Sequence, residues 1–318
     1  MGNNASQQAQ LEVVTVTLNP AIDQTVVIPD FAAGQVNRVE RTRSQPGGKG
    51  VNVATFLADY GHRVGVTGFL GRENDGTFEA LFHQKQINDC FVRIAGQTRT
   101  GIKITDPVQH QTTDINFPGQ SPTASNLEAL FTQLMALESS WVVLAGSIPP
   151  VVDPTIYCDL ITRLKAQGRT VVLDTSGAGL QHAVGAVPHI IKPKIHELEL
   201  LVGQSLKDKI AIIEAARELL AQGIQLVVVS MGKDGACFVS KDVIVFARPP
   251  EVTVASTVGA GDAMVAGLVA GHLRGFSLDI CARLATAFSM DRVTHTGVGL
   301  ASPSSIEQLM AEVHIEEQ

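Results

Sequence analysis

The sequence predicts an α/β fold: a central, mostly parallel sheet flanked by helices, with a small lid of β-strands. Two observations predict it. Short apolar runs alternate with segments of helical spacing along most of the 318 residues, and two regions break that rhythm with polar–apolar alternation. Strands covered on both faces by crossover helices read as continuous apolar runs, whereas half-exposed strands alternate. With 45% hydrophobic residues against 17% charged and 5% aromatic, the chain can build a large core that is mainly aliphatic.

The opening MGNNASQQAQ is polar and lacks the apolar centre of a signal peptide, so residues 1–11 are expected to be a disordered tail and 12–318 one folded unit. VVTVTL at 13–18 reads as a buried strand, followed by a helix from Lys49 to Tyr60, the strand RVGVTGFL and a helix from Asp75 to Gln86. WVVLAG, TVVLD, HIIKP and LVVVS are further short strands, and the chain from Ala260 onward is helical apart from its connections. The interruptions lie within 24–43 (TVVIPDF, NRVERTR) and 90–117 (GIKITD, TTDINF). They read as inserted antiparallel strands, forming either a lid over a site on the main sheet or a surface hairpin.

The net charge of −7 argues against a nucleic-acid protein, which normally carries a basic face. Cys90, Cys158, Cys237 and Cys281 form no CxxC pair, so neither a disulfide framework nor a metal site is expected, and a reducing cytoplasm is the plain reading. No apolar run approaches the roughly 18 residues of a membrane span.

Two glycine-rich helix starts carry the chemistry. In Ser256–Asp262 (STVGAGD), Gly259, Ala260 and Gly261 leave the backbone bare where a helix begins, and Asp262 follows at once. The first amides of a helix have no internal acceptor and lie at the positive end of its dipole, so they stabilise an anion such as a phosphoryl group in transit. A carboxylate beside that hole can take the proton of an attacking hydroxyl. The plainer alternative is an aspartate that caps the helix after a glycine turn. Gly267, Gly271 and Gly275 recur every fourth residue and point to close helix packing. The second start, PGGKGVNVA at 46–54, places Lys49 and Asn52 about one turn apart at another helix mouth. It has neither the GxxxxGK[ST] nor the GxGxxG spacing. Together the two suggest a pair of phosphate-handling helix ends, one per substrate.

From residue 12 to about 313 the chain resembles the PfkB family of ribokinase-like carbohydrate kinases. The motifs TLNPAID (17–23), PGGKGVNVA (46–54), GQTRTGIKI (96–104), AGSIPP (145–150), LDTSG (173–177), IKPKIHELE (191–199), VSMGKDGA (229–236) and STVGAGDA (256–263) arrive in the family's order. The resemblance implies a ribokinase-like fold and an ATP-dependent kinase. Asp262 would be the base, and Gly259, Ala260 and Gly261 the anion hole. Asp23 and Asn52, with the backbone of Gly47 and Gly48, would bond the sugar hydroxyls. Lys49 and Arg99 would hold a phosphate already on the acceptor, Arg38 would assist from the lid, and Ser147 would sit beside the sugar. Lys192, Ser230, Gly232 and Gly235 match nucleotide positions, with Val258 and Ser289 towards the adenine, and Lys194 could contact a nucleotide phosphate. Asp174 and Glu197 match carboxylates that act on Mg2+ mostly through water, as magnesium keeps several waters. Lys194 departs from the family's asparagine three residues before the glutamate, which bears on metal dependence.

The resemblance implies, as acceptor, fructose 1-phosphate phosphorylated at its 6-hydroxyl to give fructose 1,6-bisphosphate. Tagatose 6-phosphate or fructose 6-phosphate, and a non-enzymatic sugar-phosphate-binding regulator, are the alternatives. It also implies a homodimer paired through the lids. The histidines show no HExxH or other paired metal spacing, and no GxSxG elbow is present.

Overall fold

The computed structural model describes residues 10–317. The chain opens with β1 (Leu11–Thr17), β2 (Ala21–Val27) and β3 (Arg41–Gly47), then α1 (Lys49–Asp59), β4 (Val64–Gly71) and α2 (Gly76–Lys85). Short strands β5 (Asn88–Asp89) and β6 (Val92–Ile94) precede β7 (Thr100–Asp106) and β8 (Gln111–Asn116). The middle of the chain holds α3 (Ala124–Ala136), β9 (Ser139–Ala145), α4 (Ile156–Ala166), β10 (Thr170–Asp174), α5 (Gly177–Val184), β11 (Ile190–Ile191), α6 (Ile195–Val202) and α7 (Lys209–Ala221). Last come β12 (Leu226–Ser230), β13 (Ala236–Ser240), β14 (Ile244–Arg248), α8 (Ala260–Leu273), α9 (Leu278–Thr294), α10 (Ile306–Glu312) and β15 (His314–Glu317).

The main sheet runs β15-β14-β13-β12-β11-β10-β9-β1-β4-β5, with β6 also on β4. From β12 to β4 every pairing is parallel, whereas β12 to β15 pair antiparallel. Alternate side chains of β1 feed two cores. Val13 joins α1, α8 and α9 on one face, while Val14 and Val16 meet residues of α3 to α7 on the other. Burial of strand residues on both faces is why these runs are apolar throughout.

The lid is a separate sheet in the order β3-β2-β7-β8. The inserted strands were expected to be antiparallel, yet the central pair, β2 and β7, is parallel; only the outer pairings are antiparallel. Within 90–117, Val92–Ile94 belongs to the main sheet rather than the lid. The final helical stretch also ends in a strand, β15, which closes the sheet edge against β14. Residues 1–9 of the expected tail lie outside the described residues, and β1 spans Leu11–Thr17, starting two residues before the expected strand at 13–18. Among the described residues no helix is long and apolar enough to cross a membrane.

The glycines of α8 explain one packing and one turn. A Cβ on Gly267 would lie 2.7 Å from the Ala285 Cα, and one on Gly271 2.8 Å from the Cys281 Sγ, so α8 and α9 touch backbone to backbone. Gly275 instead occupies the left-handed turn that leads out of the helix, at φ 71°, rather than the packing face.

Candidate active site

The C-terminal ends of the parallel strands, the starts of α1 and α8, and the inner face of the lid converge. Gly259, in left-handed conformation at φ 80°, is the N-cap of α8 and turns the chain so that the helix begins at once. Among the described residues the amides of Gly261 and Asp262 find no acceptor, which leaves them to an incoming anion. The start of α1 is similar, and Gly50 sits so close to β1 that a Cβ would fall 2.3 Å from the Thr17 Oγ1. A single hydrogen bond joins the two helix ends: Asn52 Nδ2 donates to Asp262 Oδ2 at 2.8 Å.

Charges around this bond form a chain. Lys49 Nζ donates to Asp174 Oδ2 at 2.9 Å and lies 3.9 Å from Asp262 Oδ1. Lys192 Nζ lies 3.3 Å from Asp174 Oδ1, and equally close to the place a Cβ on Gly261 would take. Burial opposes charge on Asp174, but the two ammonium groups outweigh it and hold its carboxyl below the usual range. Asp262 goes the other way: burial, aided by the negative Asp174, raises its pKa against the pull of Lys49. A buried carboxylate with a raised pKa, in reach of mobile anions, has the character of a general base. Burial likewise opposes the charge of Lys49, but Asp174 and Asp262 raise its pKa overall.

On the lid, Asp23 packs over Gly47, where a Cβ would fall 2.1 Å from its Oδ2. Burial raises its pKa to about 6, tempered by Arg99 and Lys103. Asn19 Nδ2 donates to Ser147 Oγ at 3.2 Å.

The geometry bears on several expected roles. Lys49, expected beside Arg99 on the acceptor's phosphate, has its ammonium between Asp174 and Asp262. Arg99 stands beside Asp23, and its guanidinium also donates to the carbonyls of Asn19, Pro20 and Phe117. Arg38 is exposed on the β2–β3 connection. Ser289 Oγ donates to the Ala260 carbonyl at 2.6 Å, anchoring the start of α8. Gly235 is required by packing, since a Cβ would meet the Ala247 carbonyl at 1.9 Å. Lys194 and Ser230 bridge β-fashion, and Gly232 opens the turn after β12. Val258 is partly exposed ahead of the glycine turn.

Two residues were missed. Lys103 of β7 pairs with Asp114 of β8 and lies near enough to Asp23 to lower its pKa. Arg292 of α9 is buried against Gly259. In sequence, Lys103 sits within GQTRTGIKI but was given no role there, and Arg292 is a single charge with no motif around it.

The resemblance to the PfkB family implies magnesium. Asp174 has an ammonium on each oxygen, and Glu197 Oε2 accepts the Lys194 amide at 2.8 Å. Among the described residues no group of three or more His, Cys, Asp or Glu gathers. These residues fit a metal carried by phosphate oxygens and reached through water, rather than one gripped by the protein.

Two amide-lined helix ends facing one buried carboxylate, with lysines between them and a lid above, are the equipment of a phosphotransferase acting on a hydroxyl. The match to the pfkB family carbohydrate kinase model spans residues 11–305, and the chain belongs to that family. It is 45% identical to a 1-phosphofructokinase of Rhodobacter capsulatus, over 96% of this chain and 98% of that protein. A 1-phosphofructokinase of Escherichia coli strain K12 is 38% identical, again over 96% and 98%. Among solved structures, phosphofructokinase-2 of Escherichia coli in complex with substrates and products superposes with a TM-score of 0.90 at 27% identity, covering 95% of this chain and 99% of that one. The chain is therefore a kinase with ATP as its co-substrate, and its fold is ribokinase-like.

Proposed function

We propose that the protein transfers the γ-phosphoryl group of ATP to the 6-hydroxyl of fructose 1-phosphate, yielding fructose 1,6-bisphosphate and ADP. The observation that carries this reading is the Asn52–Asp262 hydrogen bond, which brings both helix ends to one carboxylate. The relatives named 1-phosphofructokinase support the choice of acceptor.

Asp262 takes the proton of the 6-hydroxyl as its oxygen bonds to the γ-phosphorus and the bond to the bridging oxygen of ADP breaks. The free amides at Gly261 and Asp262, with Lys192, offset the charge on the moving group. Lys49, between two carboxylates, keeps Asp262 ionised while balancing the incoming phosphoryl. Asp23, Asn52 and the backbone of Gly47 and Gly48 orient the sugar, with Ser147 beside it. Arg99 and Lys103 take the 1-phosphate, the planar guanidinium matching its oxygens. Lys194, Ser230, Gly232 and Val258 border the nucleotide. Magnesium would be held by the nucleotide's phosphates, with Glu197 and Asp174 reaching it through water, and would neutralise phosphate charge. The chain works in the cytoplasm as a homodimer joined through its lids.

The test is ADP release with Mg-ATP, comparing kcat/KM for fructose 1-phosphate, fructose 6-phosphate, tagatose 6-phosphate and fructose, alongside the Asp262→Asn variant. A preference of about a hundredfold for fructose 1-phosphate is expected, as two lost charge-assisted contacts would produce. The variant should lose roughly 10²–10⁴-fold in kcat while binding ATP as before. Near-normal kcat in the variant would overturn the base assignment, and turnover of free fructose alone would overturn the phosphate-holding residues.

A further inference from the structure

Arg292 is 6% exposed, and among the described residues no carboxylate lies within ion-pair distance of it. Its Nη1 donates to the His295 carbonyl at 2.7 Å, its one hydrogen bond among those residues. Its Nε lies 3.1 Å from where a Cβ on Gly259 would be, so the guanidinium fills the space beneath the N-cap of α8. A cation out of water with so little compensation is costly unless it serves an anion that arrives or a charge that must persist. Both are a few residues away, at the open amides of α8 and at Asp262.

We propose that Arg292 is a positioning residue for phosphoryl transfer: it braces the left-handed Gly259 turn that aims the α8 amides, and its fixed charge holds Asp262 ionised. This rests on the kinase reading above. The groups facing Asp262 are Lys49 from α1, Asp174 from β10, Lys192 after β11, Asp23 from β2 and Arg292 from α9. Lys49 and Lys192 already have Asp174 between them, whereas Arg292 has no acid at contact distance. Burial lowers the pKa of Arg292, and attraction to Asp262 is the largest influence working to restore it. The attraction is mutual and favours the charged form of Asp262, adding to the stronger pulls of Lys49, Asn52 and Lys192. The loop that Arg292 grips is also where the lid touches the body, because Arg43 of β3 donates to the next carbonyl, Thr296, at 2.9 Å.

The experiment is the pH profile of kcat for the wild type, Arg292→Gln and Arg292→Lys, on whichever sugar phosphate of the panel the wild type prefers, with melting temperatures taken in parallel. Glutamine keeps a donor for the His295 carbonyl but removes the charge, while lysine keeps the charge. The glutamine variant should lose about tenfold or more in kcat with an unchanged KM for the sugar. Its acid limb should move up by about half a pH unit or more, and lysine should return the limb towards the wild-type position. The same limb in all three proteins would overturn the proposal even if kcat fell, since a packing role alone moves stability and not the titration. If glutamine does not fold, Arg292→Met supplies the uncharged comparison: an acid limb displaced upward from that of the wild type and the lysine variant supports the charge role, and one coinciding with theirs overturns it. A wild type inactive on the whole panel would instead overturn the kinase reading itself.

Discussion

Asp23 is held between the lid and the Gly47 backbone, where burial lifts its pKa to about 6 from an ordinary 3.8. Between those values the folded protein keeps a proton that the unfolded chain has released. Stability therefore falls as pH rises through that window, and the full cost is present above it. Asparagine mimics the neutral acid, so Asp23→Asn should be more stable than the wild type at pH 7 by on the order of 1–2 kcal/mol, or about 2–4 °C in melting temperature. The gain should vanish below about pH 4. Calorimetry across pH would show it, and a variant that melts lower at neutral pH would mean that the carboxylate is well compensated in the folded state. The same substitution should weaken sugar binding, an exchange of stability for function that is common at such sites. The residues of this kind that were legible in sequence, Asn52 and Asp262, follow glycines at helix starts. Arg292 was not, because an arginine in the last turn of a helix is what the dipole favours anyway.

The contact between α8 and α9 sets the position of the catalytic helix. Glycine in a helix interior ordinarily costs about 1 kcal/mol against alanine, so propensity alone makes Gly267→Ala stabilising. The backbone of Ala285 and Leu284 stands where the new methyl would go, at 2.7–2.8 Å, and backbone yields poorly. Overpacking should prevail, with a net loss of about 1–3 kcal/mol. Urea midpoints with unchanged slope would measure it; a neutral or raised midpoint would mean that α9 moves aside freely. Displacement of α9 would also disturb the Ser289 anchor on Ala260. The glycine spacing announced this packing for Gly267 and Gly271, while the role of Gly275 as a turn depended on where the helix stopped. Strands β5, β11 and β15, of two to four residues, are too short for any period to show.

At the scale of the molecule, the parallel β2–β7 pair at the lid's centre could not be read from sequence, since pairing direction follows from where distant strands enter rather than from their own residues. The lid's edge strand β8 is exposed along its whole length, with Ile115 at 44% and Phe117, just beyond it, at 47%. An open edge with apolar side chains is a template for another strand. Pairing of two lids would cover it, and would hold each lid above its own site through the Lys103–Asp114 rung of the same sheet. In sedimentation or light scattering the protein should have twice the 33.7 kDa chain mass. Ile115→Lys together with Phe117→Lys should give the single-chain mass, because two charges cannot be buried unpaired at such a contact. Without a partner the lid would order less often, so KM for the sugar phosphate should rise more than kcat falls. A wild type of single-chain mass with full activity would show that the exposed edge is tolerated, and that the lid needs only its contact with the body at Arg43 and Thr296.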